Sequence, residues 1–187
     1  MDRRVPRGPG GWSLVELAIA LATAAVPAFA AGSLLSDAFS PGRADRDSSL
    51  ALAAMQRTLE TLQSGKVEFE DLFRAYNADP SDDPGGPGTA PGANFAVVGL
   101  EPRPGDADRA AGRIEFPSPE GRPDMLREDL TAGLFGLEED RDLDGDGVVD
   151  ASNHARDYLI LPVLVRVEWT GSSGEESRAL RTLLAKR

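Results

Sequence analysis

Residues 8–31 read GPGGWSLVELAIALATAAVPAFAA, with Glu16 five residues beyond Gly11 at the head of an otherwise apolar run. A carboxylate in a hydrocarbon-length stretch costs about 2.5–3.5 kcal/mol on insertion scales unless something pairs it, so its presence there points to function. Upstream, Arg3, Arg4 and Arg7 form a basic leader that would hold this end on the cytoplasmic side of a membrane. From Leu17 to Leu35 the apolar run is nineteen residues, interrupted only by Thr23, Pro27, Gly32 and Ser33. At about 1.5 Å rise per residue, a helix of that length just spans a bilayer core of about 30 Å.

The string Gly11-Trp12-Ser13-Leu14-Val15-Glu16 followed by an apolar stretch resembles the cleavage and methylation motif of type IV prepilins, shared with the pseudopilins of type II secretion. The resemblance implies that a prepilin peptidase cuts between Gly11 and Trp12 and methylates the new amine on Trp12. Glu16 then becomes mature position five. Its carboxylate is expected to pair with the N-terminal ammonium of a neighbouring subunit, an assembly role in which a buried but paired charge sets axial register. Trp12 stands where the family usually has Phe or Met, Pro27 comes early, and the stretch is rich in Ala. The closing LPVLVRVEWTGSSGEESRALRTLLAKR also resembles the terminal hairpin of minor pseudopilins, although hairpins are generic. The family implies an α+β, pilin-like fold: a long N-terminal hydrophobic helix followed by a small globular domain with an antiparallel sheet. The expected division is a leader at 1–11, a transmembrane and assembly helix at 12–39, and a periplasmic or extracellular domain at 40–187. The implied partners are prepilin peptidase, other pilin or pseudopilin subunits and the inner membrane, crossed once. The chain would be the peptidase's substrate and not an enzyme. It lacks the bulk and the cysteines of many major pilins, which favours a minor subunit.

The same residues support a second processing route. A basic leader, an apolar run and Ala28-Phe29-Ala30 after Pro27 also spell an ordinary signal peptide cut after Ala30, which would release a secreted calcium-stabilised binding domain. Glu16 has no use in that reading.

Composition bounds the chemistry. Net charge is −11; without residues 1–11, which carry three Arg and one Asp, 17 basic and 30 acidic residues remain, a net −13. No basic stripe is present, which argues against nucleic-acid binding. With no cysteine and one histidine, the usual zinc sites and thiol or Ser-His catalysis are nearly excluded.

Along the chain, Ser40-Pro41-Gly42-Arg43 is expected to break or bend the first helix, and Asp47-Ser48-Ser49 to cap a second one. Leu52, Met55, Leu59 and Leu62 set its apolar spacing, and Ser64-Gly65 stops it. Phe69, Leu72, Phe73 and Tyr76 mark one face of a further short helix. Residues 79–93 hold eight Pro or Gly in fifteen positions and read as a long loop. Short strands are expected at 94–100 and 113–116. In DYLILPVLVRVEW, Val163, Val165, Val167 and Trp169 alternate with Leu164, Arg166 and Glu168, the period of a strand with one buried face. Pro162 places its start at an edge or bulge. Gly171–Gly174 is a turn, and 177–184 returns antiparallel.

Within an acidic loop at 138–157, DLDGDGVVD at 142–150 carries the second chemical signal. Hard Ca²⁺ takes six to eight oxygens, and alternating aspartates supply them. Against the EF-hand pattern, Asp142, Asp144 and Asp146 stand at positions one, three and five, with Gly147 at the turn. Val148 would offer its carbonyl, Asp150 stands at nine, and Asn153 replaces the usual Glu at twelve. Asp140 or Asp157 could complete the shell. The expected cofactor is a structural Ca²⁺; Mg²⁺ suits the loop less because it keeps more water. A solvated acidic turn without an ion is the alternative, and His154 reads as a surface or loop-contact residue.

Overall fold

The computed structural model describes residues 42–172 and 174–186. The leader, the cleavage position and the stretch 12–39 lie outside the described residues. From Arg43 onward the chain forms one compact unit.

Helix α1 occupies 42–63. A 3₁₀ turn at Phe69–Asp71 leads into α2, Leu72–Tyr76. A second 3₁₀ turn at Glu128–Leu130 leads into α3, Thr131–Phe135. The sheet has four antiparallel strands in sequence order: β1 Asn94–Phe95, β2 Gly112–Glu115, β3 Ile160–Gly171 and β4 Gly174–Ala185.

The α+β expectation of a long N-terminal hydrophobic helix ahead of the sheet requires correction. Among the described residues no helix is long and apolar enough to cross a membrane. The long helix that is present, α1, is amphipathic: Arg43, Asp45, Arg46, Asp47, Arg57 and Glu60 alternate with one apolar stripe. What the described residues build instead is an antiparallel meander with one amphipathic helix and two short helical segments. Asp47-Ser48-Ser49 do not cap α1 but lie inside it, where Ser49 Oγ donates to the Asp45 carbonyl four residues back. Three of the four expected stripe residues face the core and one does not. Ala51, Met55 and Leu62 are buried and Leu59 packs against them, while Leu52 is 47% exposed. The small Ala51 occupies the inward position.

β3 forms the spine. Leu161, Val163, Val165, Val167 and Trp169, on one face, are fully buried in the main core with Phe73, Leu126 and Leu143. Leu164 on the opposite face is buried too, and α3 lies against this strand. β2 reaches only to Leu164 in the register, so at Pro162 β3 has a neighbour on one side alone and the missing N–H is tolerated there. The expected 94–100 strand is confined to Asn94–Phe95, whereas β4 runs the whole length of β3.

Tyr158, just before β3, ties the short helix to the sheet. Its hydroxyl donates to the Phe69 carbonyl at 2.5 Å and accepts the Phe73 amide at 3.2 Å. Burial pushes its phenol pKa up to about 12. Phe73 meets Phe116 edge-on with ring centroids 5.2 Å apart.

The inward position of Met55 and the outward one of Leu52 have a measurable consequence. Met55→Ala should lower stability by about 2–5 kcal/mol by opening a core cavity, whereas Leu52→Ala should change it by less than about 0.5 kcal/mol. Urea unfolding midpoints at unchanged slope read both values.

Candidate metal centre

The acidic loop leaves α3 and returns to β3, and its backbone is built from aspartate side chains that fold back on following amides. Asp142 Oδ1 accepts the Gly145 N–H at 2.6 Å and Oδ2 the Gly147 N–H at 2.8 Å. Asp144 Oδ1 accepts from Asp146 at 3.0 Å, and Asp146 Oδ1 from Val148 at 2.7 Å. Gly145 and Gly147 have φ of +81° and +87°, which side-chain-bearing residues rarely adopt, so the tight curl requires glycine at both. The curl brings the carboxylates of Asp142, Asp144 and Asp146 within 4.8 Å of one another.

Beneath the loop lies Glu128, fully buried in the 3₁₀ turn before α3. Its Oε1 accepts the Leu143 N–H at 2.5 Å and the Asp144 N–H at 3.4 Å, and its Oε2 accepts the Asp150 N–H at 3.0 Å. His154, only 6% exposed, packs beside it. The ring's Nε2 is 3.2 Å from Asp150 Oδ1 and 3.8 Å from Glu128 Oε2. Its Nδ1 is 3.5 Å from Asp144 Oδ2 and 3.4 Å from Asp157 Oδ1. Glu128, Asp144 and His154 therefore form a second, largely buried group whose ligand atoms also lie within 4.8 Å. Either group could hold a metal ion, and Asp144 belongs to both.

Electrostatics follow from these contacts. The Gly147 and Gly145 amides hold the Asp142 carboxyl below its usual range. The Ser152 amide, then His154, do the same for Asp150. At Asp144 the Asp146 amide pulls the pKa down, but burial and the neighbouring Asp146 and Glu128 charges outweigh it and the carboxyl is raised. Burial alone would lower His154, yet its contact with Asp150 and the charges of Glu128, Asp157 and Asp144 raise it above the ordinary value.

The expected ligands are thus only partly brought together. Asp142, Asp144 and Asp146 converge. Asp150 faces His154 and the Ser152 amide. Val148 presents an exposed side chain, and its amide serves Asp146. Asn153 is turned away: its Oδ1 accepts the Leu126 and Ala155 N–H groups at 3.0 and 3.1 Å, using both lone pairs. Asp140 is likewise engaged, accepting from the Ala132 amide and Thr131 hydroxyl. Glu128 escaped the sequence reading because nothing in its neighbourhood marks it among 31 acids. His154 is buried rather than superficial, though it does contact the loop. Gly11, Trp12 and Glu16 lie outside the described residues.

No protein-family model matches the chain, and neither a curated protein nor a solved structure matches it.

The raised His154 value dictates a pH dependence. A group whose folded pKa exceeds its unfolded value stabilises fully below the unfolded pKa, about 6.5 for histidine, and loses that contribution as pH rises through the folded value. In chelator, thermal stability should therefore fall above about pH 6.5, and His154→Gln should flatten that part of the profile.

Proposed function

We propose that this chain is a minor pilin or pseudopilin, a subunit of an envelope-spanning type IV pilus-like or type II secretion filament. The observation that carries the reading is Gly11-Trp12-Ser13-Leu14-Val15-Glu16, placed between a leader containing Arg3, Arg4 and Arg7 and a long apolar stretch. Prepilin peptidase cuts after Gly11 and methylates Trp12. The apolar segment holds the subunit in the inner membrane, with the acidic domain on the periplasmic or outer side. Assembly then places the Glu16 carboxylate of one subunit against the Trp12 ammonium of the next, where pairing removes the cost of an isolated buried charge. The chain acts by polymerising with other pilin subunits and carries out no catalysis.

Mass analysis of the mature N-terminus, in cells carrying a prepilin peptidase, should find N-methylated Trp12. A terminus at Ala31 would instead support a secreted calcium-stabilised binding domain, the reading favoured by Pro27 and Ala28-Phe29-Ala30.

The cation proposed for the aspartate loop is Ca²⁺ in a structural role. Asp142, Asp144 and Asp146 supply clustered carboxylate oxygens of the kind Ca²⁺ prefers, whereas Asp150 is held by His154 and the Ser152 amide. Asn153 is likewise held, by its bonds to Leu126 and Ala155. Calorimetric titration of the full-length protein with CaCl₂ should show one site that Asp142→Ala weakens by about tenfold or more and Asn153→Ala leaves nearly unchanged. A flat wild-type trace would remove calcium from the account.

A further inference from the structure

β4 closes one side of the sheet and has β3 as its one neighbour there. The Glu168 and Thr170 amides of β3 donate to Ala111 and Glu101, on the side away from β4, so the odd-numbered residues of β3 are those that bond β4. Their register partners are the even-numbered residues of β4. Glu175, Ser177, Ala179, Arg181 and Leu183 therefore turn both N–H and C=O outward. None of these groups has a backbone partner among the described residues.

Proteins blunt such an edge with proline, bulges, lysines or a covering segment. β4 has no proline and follows β3 through twelve consecutive pairs without a bulge. Its charge also departs from that of the rest of the chain. Glu175 and Glu176 balance Arg178 and Arg181, which makes β4 a neutral strip in a chain of net −11. The two signs are segregated, acids at the start of the strand and bases beyond them. Laid antiparallel on another β4, the acidic start of each strand meets the basic stretch of the other. Laid parallel and in register, like charges would face each other, which is destabilising.

We propose that the β4 edge pairs antiparallel with β4 of a second copy of this chain, joining the two sheets into one across a two-fold axis. Each copy offers the same strip, so the contact is self-complementary. Main-chain bonds supply the attraction and the segregated charges set the direction. Leu183, 48% exposed, adds apolar area along the strip. The pairing uses neither the aspartate loop nor the Gly11–Glu16 motif, so it stands or falls apart from the proposed function.

The chain has no cysteine, so a single introduced one reports proximity. In detergent-solubilised full-length protein, Ser177→Cys should crosslink to a dimer with a short bismaleimide, whereas Glu120→Cys, in an exposed turn, should not. Ala179→Pro removes one outward amide from each copy and no bond to β3, a place where an edge strand tolerates proline. It should weaken dimerisation about tenfold or more in sedimentation. Glu175→Arg with Glu176→Arg, and Arg178→Glu with Arg181→Glu, should each give a monomer alone and a mixed dimer when combined. Monomeric wild type, dimers that persist in Ala179→Pro, or charge-inverted proteins that stay monomeric together would overturn the pairing. A Ser177→Cys crosslink formed in cells only to a different subunit would overturn the choice of a second copy.

Discussion

A buried carboxylate with three backbone donors organises the acidic loop of this domain. Glu128 accepts amide protons from Leu143, Asp144 and Asp150, residues at both ends of the acidic loop. Buried charge is costly unless its lone pairs are satisfied, and charge-assisted bonds to amides are among the stronger hydrogen bonds. The same contacts that satisfy Glu128 therefore fix the loop. With Leu143 buried in the core and its carbonyl taking the Leu159 and Ile160 amides at 2.7 and 3.0 Å, the loop is anchored at the entrance to β3. The flanking aspartates are left to turn toward one another.

His154 is positioned by the same stretch of chain. Its amide donates to the Leu126 carbonyl at 2.8 Å, while the Leu126 amide donates to Asn153 Oδ1 at 3.0 Å. This pair of bonds clamps 153–154 to the segment leading into Glu128. Four acids then surround one imidazole in a domain that already carries a large negative excess. The proton that those acids favour on His154 offsets part of the repulsion, and a cation in the aspartate loop would offset more.

How much of this could be read from residue order depends on the range of the interaction. The β3–β4 hairpin was legible because alternation of Val163, Val165, Val167 and Trp169 is a local period, and the Gly171–Gly174 turn closes it. α1 was legible as a helix, and Met55, Leu59 and Leu62 face the core as expected; Leu52 alone was misplaced, because it is larger than Ala51 and hydrophobicity favoured it at a close-packed position. Asn153 was assigned by its place in a twelve-residue pattern, yet a competing bond to Leu126, remote in sequence, claims its oxygen. Glu128 and the His154 environment depend on contacts across 15 to 26 residues, for which sequence spacing carries no signal. The reading of Gly11–Glu16 rests on residue order alone.

The central claim, that Glu128 holds the acidic loop in its cation-ready shape, is tested most directly by residue-resolved amide hydrogen exchange on metal-free wild type and Glu128→Gln. The account predicts faster exchange in the variant at Leu143, Asp144 and Asp150, with β3 and β4 amides unchanged. Equal protection of those three amides in both proteins would contradict it.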